Sequence, residues 1–320
     1  MFLTGGTGFF GSWLLEALLA ADEAFLLGAR VCVLTRDRAA YRRSKPVLAG
    51  DRRVELLEGS LASLTGLPGR FTHVVHAGGD HQRSASAAPV ADIEEEAAAG
   101  ARRVLAGARA AGAGRLLFTS SGAVYGPQPA DVELMDEERP FPEPAGAPAT
   151  PAEGYARGKR RAERLLTAGA AGGPETVVAR CYASLGPYME VDGVFAAGNF
   201  VRDALRGGPV VVSGDGTPLR SYLYGADLAV WLWTLLLRGR AGRAYNVGSE
   251  RAVSIAELAA AAARLRPGCR VETRGRAAPH APPQRYVPST VRARQQLGLR
   301  ENIPLDAGLA RTAEWLRGIS

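Results

Sequence analysis

The sequence predicts an α/β fold, a doubly wound parallel sheet followed by a smaller C-terminal domain, and three observations carry that expectation. The stretch Thr4-Gly5-Gly6-Thr7-Gly8-Phe9-Phe10-Gly11 joins a short apolar run to a helical apolar pattern at Trp13, Leu14, Leu15, Leu18 and Leu19. Apolar runs then alternate with helical stretches as far as about residue 180, as expected of parallel strands joined by crossover helices. The composition, 47% hydrophobic and 22% charged over 320 residues, suits a globular chain of one large or two modest domains.

Taken in order, Met1 to Leu3 reads as a first strand, so brief that the true start of the chain can lie upstream. The glycine-rich turn follows, then the first helix. Arg30 to Leu34 and Val54 to Leu57 read as buried second and third strands, and Phe71 to His76 as a fourth that ends before Gly78-Gly79. Ile93 to Ala111 is an alanine-rich helix, acidic in its first turn and arginine-rich later, as the helix dipole favours. Arg115 to Ser120 is the next strand. The proline-rich stretch from Pro127 to Pro151 is too long for a routine connector and predicts a functional loop. A helix over Ala152 to Ala168 and a strand over Thr176 to Arg180 complete the alternation. Beyond Gly186-Pro187 the pattern turns irregular, with Val210 to Val212 and Tyr245 to Val247 reading as isolated strands. Trp231 and Trp233 sit in an apolar helix and read as core. We place a dinucleotide-type domain at 1–185, with returning segments near 210–250, and a substrate domain at 186–320.

Composition narrows the function classes. No run of about 18 apolar residues and no basic segment before the first apolar one points to a membrane span or signal peptide. Cys32, Cys181 and Cys269 are far apart and odd in number, which predicts reduced thiols in a cytoplasmic protein and neither a disulfide frame nor a metal site. The net charge is +7, yet the arginines are spread without a basic block, so an acidic small ligand is expected in preference to nucleic acid. Lys45 and Lys159 are the only lysines among 39 basic residues.

The chemistry starts at the glycine turn. Backbone N–H groups at a helix N-terminus and the positive dipole end favour a phosphate, so the turn predicts a pyrophosphate seat. Gly5 can take the tight turn, Gly8 lets the backbone approach a ligand, and Gly11 lets the helix pack on the sheet. Tyr155 and Lys159, four apart, share a helix face. A nearby ammonium favours the phenolate, which suits Tyr155 to general acid/base work. Ser121, at the end of a strand, emerges where open α/β sheets bind ligands and can share a proton with Tyr155. Arg36, just after the second strand, is placed to meet a 2′-phosphate, and Thr35 replaces the acidic residue that would take a ribose diol. That favours NADP over NAD, with Asp37 keeping NAD open.

With these pieces in order, the chain resembles the extended short-chain dehydrogenase/reductase family, and within it the nucleotide-sugar epimerases, dehydratases and reductases. The resemblance rests on T-G-G-T-G-F-F-G at 4–11, S-S-G-A-V-Y-G at 120–126, Y-A-R-G-K at 155–159, G-D-G-T-P-L-R-S-Y at 214–222, Y-G-A-D-L-A at 224–229 and Y-N-V-G-S at 245–249. It implies a Rossmann-type first domain, a catalytic trio of Ser121, Tyr155 and Lys159, and a homodimer paired through the helices at 93–111 and 152–168. It implies cofactor contacts from Gly5, Thr7, Gly8, Phe9, Phe10, Gly11, Ala77, Gly78, Tyr155 and Lys159. Arg220 resembles the family arginine that grips a substrate diphosphate, Arg285 resembles a second grip, and Asn199, Ser121, Asp80 and His81 complete the expected substrate contacts.

The resemblance also separates reactions. Dehydratases of this kind carry Asp-Glu after the residue matching Ser121, decarboxylases keep the glutamate, and 3,5-epimerising members place a cysteine at the second position. Gly122 and Ala123 stand there instead. Hydride transfer at the sugar C4 is therefore expected, as epimerisation or as reduction of a 4-keto sugar, on a nucleotide-diphosphate sugar. Ala183 replaces a usual asparagine, and Arg220-Ser221 a usual Arg-Asp. Three alternatives stay open: a dehydratase that uses Asp80 or His81, a reductase of a small carbonyl, and a cofactor-sensing protein without catalysis.

Overall fold

A computed structural model describes residues 1–79, 90–142, 146–168, 172–278 and 281–319. The chain forms two compact units, one of residues 1–126, 140–181 and 229–245, the other of 127–139, 182–228 and 246–320. The elements run β1 (Phe2–Thr4), α1 (Phe9–Phe25), β2 (Val31–Thr35), α2 (Arg38–Ser44), α3 (Pro46–Gly50), β3 (Val54–Glu58), β4 (His73–His76), α4 (Val90–Ala110), β5 (Arg115–Ser121), α5 (Pro151–Ala168) and β6 (Glu175–Cys181). They continue with β7 (Ser184–Leu185), α6 (Ala196–Arg206), β8 (Val210–Val212), β9 (Leu219–Arg220), β10 (Leu223–Tyr224), α7 (Gly225–Arg238) and β11 (Ala244–Val247). The last are β12 (Val253–Ser254), α8 (Ile255–Ala263), β13 (Val271–Thr273), β14 (Arg285–Tyr286), α9 (Val291–Leu297) and α10 (Leu305–Ile319).

The first unit is built on a seven-stranded sheet in the order β11-β6-β5-β4-β1-β2-β3. Its strands β1 to β6 pair in parallel. Strands β1 and β2 are buried along their whole length, as in a sheet covered on both faces. Phe2, Leu116, Phe118 and Val178 of the sheet pack with Ala101, Val104 and Ala108 of α4 and with Ala162 and Leu166 of α5. Gly158 lets α5 close on α4, since a Cβ there would stand 2.9 Å from Ala97 Cβ. Successive strands lead outward from β1 to β3, then resume at β4 on the other side, so the order reverses between β1 and β4. Thr4 and His76, opposite each other in the register, end the two strands at that reversal. Ligands of open α/β sheets bind outside the carboxyl ends at such a point.

The second unit holds a three-stranded sheet, β12-β9-β14, and the pairs β10-β7 and β13-β8. α8 starts with a capping box between Ser254 and Glu257, and the Asp227 carboxylate accepts the backbone N–H groups of Asn302 and Ile303 at 2.9 Å. These anchors tie together segments with little regular periodicity.

The structure corrects the sequence reading at several points. Tyr245 to Val247 is no isolated strand, because β11 forms the edge of the main sheet beside β6. The fourth strand starts at His73, later than Phe71. Trp231 is core at 1% exposure, whereas Trp233 is half-buried and donates its indole N–H to Leu14 O at 3.2 Å. Cys32 and Cys181 are buried free thiols and Cys269 is half-buried. Among the described residues no helix is long and apolar enough to cross a membrane, and no cluster of metal-ligating side chains occurs.

Candidate active site

The glycine turn is shaped by steric demands of different origin. Gly5 has φ +72°, and a Cβ on it would meet Ala77 O at 2.4 Å, so only glycine fits between β1 and the chain leaving β4. A Cβ on Gly11 would fall 2.3 Å from Gly5 O, which holds α1 tight against its own turn. Gly8 differs, because its nearest neighbour would be Gly5 O at 3.5 Å, an ordinary contact. Protein packing therefore leaves room at Gly8 for a methyl group. α1 begins there with no side-chain cap and no acidic residue in its first turn, so its leading N–H groups and positive dipole end are left for an anion. Thr7 is exposed beside it, and the half-buried rings of Phe9 and Phe10 lie 5.9 Å apart.

The two loops at the reversal are joined by a polar cluster that the sequence reading did not single out. Thr4 Oγ1 accepts the Gly78 N–H at 3.0 Å and lies 2.8 Å from His76 Nδ1. Ala77 N donates to Thr4 O at 3.2 Å. Burial, and secondarily the charge of Lys159, hold the His76 imidazole neutral by pushing its pKa down to about 3. Gly79 comes up to Lys159, where a Cβ would be 3.1 Å from Nζ. The expected cofactor residues Ala77 and Gly78 precede Gly79 and are tied to Thr4.

Lys159 is 5% exposed and donates from Nζ to Thr119 O at 2.8 Å. Its Nζ stands 5.7 Å from the Tyr155 ring centroid and 4.8 Å from that of Phe118. Burial lowers its pKa to about 8, against the opposing influence of Cys181 and Glu163. Ser121, 7% exposed, ends β5 and caps the 3₁₀ turn Gly122–Tyr125 by accepting Ala123 N–H at 3.2 Å. Gly122 and Ala123 therefore enter this turn through backbone geometry and bring no acid or base with them.

Two arginines brace this arrangement. Tyr155, Lys159 and Glu163 follow at steps of four along α5 and so form one ridge. Glu163 receives Arg180 of β6 at 2.8 Å, with side-chain exposures of 6% and 9%. Arg180 also donates to Tyr125 Oη at 2.8 Å and lies 4.7 Å from the Phe141 ring. Arg160 donates from Nε to Val124 O at 2.6 Å. The helix with Tyr155 and Lys159 is thereby pinned to the turn after Ser121. The four-residue step to Glu163 was the signal in the sequence for this brace.

At the end of β2, Arg36 is exposed. Asp37 is engaged as the N-cap of α2, its carboxylate accepting Ala40 N–H at 2.8 Å. Lys45, the other lysine, reaches Ser12 Oγ of α1 at 2.5 Å, and burial lowers its pKa to about 8.

The remaining expected residues lie in the second unit, except two. Pairing of β14 with β9 sets Arg285 opposite Leu219 and Tyr286 opposite Arg220, so both arginines come to one small sheet from positions far apart in sequence. Arg220 donates to Leu219 O at 2.8 Å. The Asn199 amide is turned inward, its Nδ2 donating to Gly193 O at 2.9 Å and its Oδ1 accepting from Arg202 at 3.3 Å. Asp80 and His81 lie outside the described residues.

A Rossmann-type sheet, a glycine turn at its strand reversal and a Ser-Tyr-Lys set on β5 and α5 define a nicotinamide-dependent short-chain dehydrogenase/reductase of the extended kind. Residues 1–248 match the NAD dependent epimerase/dehydratase family, and the chain belongs to it. Over 98% of its length it is 27% identical to a dTDP-glucose 4,6-dehydratase of Streptomyces niveus, covering 92% of that protein. It is 28% identical to UDP-glucuronic acid decarboxylase 1 of Arabidopsis thaliana, over 97% of this chain and 68% of the relative. Among solved structures, MoeE5 in complex with UDP-glucuronic acid and NAD superposes with a TM-score of 0.78 at 26% identity, covering 100% of this chain and 99% of the other.

Proposed function

We propose that this enzyme acts on a nucleotide-diphosphate sugar and moves hydride at the sugar C4, either to invert that centre or to reduce a 4-keto sugar. The observation that carries the reading is the turn after Ser121, where Gly122 and Ala123 supply no group to protonate a leaving hydroxyl or move a second proton. Relatives and neighbours that act on or bind dTDP-glucose, UDP-glucuronic acid and UDP-glucose support the substrate class.

The dinucleotide, when bound, supplies hydride exchange, and the protein supplies the rest. The uncapped start of α1 and the room at Gly8 fit a pyrophosphate there. Tyr155 takes or returns the proton of the sugar hydroxyl, Ser121 orients that hydroxyl, and Lys159 stabilises negative charge on the phenol while holding a ribose hydroxyl. Arg220 and Arg285 bind the substrate diphosphate, and guanidinium forks suit that group. We also propose that Arg36 meets a 2′-phosphate and favours NADP, since Asp37 is already engaged in capping α2. The reading includes a homodimer. No large apolar side chain is exposed on the described residues of α4 or α5, so a contact there would be polar, and sedimentation at low and high salt tests it.

The named dehydratase relative favours a second reading, elimination with Asp80 or His81 as the acid. One experiment separates the two. Dehydration removes a proton from the carbon next to C4, so solvent deuterium enters the product, whereas C4 epimerisation or reduction leaves every other carbon unlabelled. Turnover of UDP- and dTDP-sugars in deuterated water, read by NMR, should show no solvent label at C5 or C6. Label at those positions refutes the C4 reading.

A further inference from the structure

On the first unit, four arginines of α5 line a cavity of about 370 Å³ that the chemistry above does not use. Arg157, Arg160, Arg161 and Arg164 line it together with Glu94 of α4, Pro142, Gly146, Ala147 and Pro148. Among the described lining residues, four guanidinium groups stand with one carboxylate. Arg161 pairs with Glu95 at 2.6 Å and with Glu94 at 3.8 Å, and Arg157 pairs with Glu153 and donates from Nη1 to Gly146 O at 2.5 Å. The donors of Arg160 go to carbonyl groups, Val124 O at 2.6 Å and Pro142 O at 3.4 Å. Among the described residues Arg164 has no ion pair.

Two features set this cluster apart from a solvated basic face. Arg157 and Arg160 are 8% and 9% exposed, and the buried Nε–H of Arg157 has no hydrogen-bond partner among the described residues. A buried donor without a partner calls for a bound group. The arginines also stand three and four apart on one helix, where like charges repel. Burial, then Arg157 and Arg164, lower the basicity of Arg160. A multivalent anion offsets that repulsion, and guanidinium forks match phosphoryl oxygens in geometry.

We propose that this cavity is a second anion site, for an inorganic phosphoryl anion of the size of phosphate or pyrophosphate, separate from the dinucleotide seat on α1. The inference does not rest on the reaction proposed above. The test titrates pyrophosphate into protein already saturated with both dinucleotide and UDP, so that the diphosphate grip assigned to Arg220 and Arg285 is filled as well, at constant ionic strength. At about ten times its Kd the anion should raise the wild-type Tm by about 2 °C. Arg164→Glu, at an exposed position, should abolish that rise and leave the dinucleotide Kd unchanged, with Arg164→Gln weakening the rise. A rise of equal size in Arg164→Glu, or no rise in the dinucleotide-loaded wild type, overturns the proposal.

Discussion

Lys159 shows at the scale of one residue how function and stability oppose each other. Burial holds its folded-state pKa at about 8, below the ordinary lysine value of 10.5. Between those values the unfolded chain binds more protons, so this group opposes folding below pH 8 and ceases to do so as pH rises toward 10.5. Lys159→Met should therefore lose turnover by about a hundredfold or more and yet match or exceed the wild-type Tm at pH 7. A large drop in Tm would contradict the assignment of Lys159 as a desolvated charge. His76 acts with the same sign in a lower pH window. Held neutral with a pKa of about 3, it contributes its stability fully above 6.5 and loses it as pH falls from 6.5 toward 3. His76→Gln should flatten the fall in Tm between pH 6.5 and 5, and an unchanged slope would count against the buried imidazole. Gly8→Ala isolates the ligand from the fold. A methyl group fits the protein there, so the Tm should hold while the dinucleotide Kd rises about tenfold or more.

At the scale of elements, α5 is positioned by the Glu163–Arg180 pair and the bond from Arg160 to Val124 O. Glu163→Ala leaves a buried guanidinium unpaired and should cost about 3–5 kcal/mol in denaturant unfolding. A loss below about 1 kcal/mol would show that the pair is not buried in solution. This brace was faintly legible beforehand, because the Tyr155–Lys159 step of four continues to Glu163, but nothing in the sequence said that Arg180 would meet it. The first-unit elements were legible because buried parallel strands give apolar runs and their crossover helices give alanine-rich stretches of several turns. β7, β9, β10, β12 and β14 were not, since two residues cannot display a period. Tyr245 to Val247 was seen as a strand but not as the edge of the main sheet, because pairing across the chain leaves no local pattern. The glycine turn, Ser121, Tyr155 and Lys159 were readable since each needs a particular residue type, whereas the Thr4–His76–Gly78 cluster joins common residues more than 70 positions apart.

For the whole molecule, we propose a nicotinamide seat on the first unit and diphosphate binding by Arg220 and Arg285 of the second. A panel of UDP- and dTDP-sugars should raise the Tm in proportion to affinity, and Arg220→Ala should remove the shift for every sugar diphosphate while the dinucleotide shift remains. An unaltered sugar-diphosphate shift would refute the grip assigned to Arg220. Arg36→Ala should weaken NADP about tenfold and leave NAD unchanged, and equal loss for both would refute a 2′-phosphate contact. Tyr155 is proposed to handle the proton while hydride moves at C4, and hydride exchange reads that step. With a nucleotide sugar deuterated at C4, the wild-type enzyme should pass the label to its bound dinucleotide. Tyr155→Phe should bind both ligands with unchanged Kd and pass none, and full label transfer in Tyr155→Phe would contradict the account.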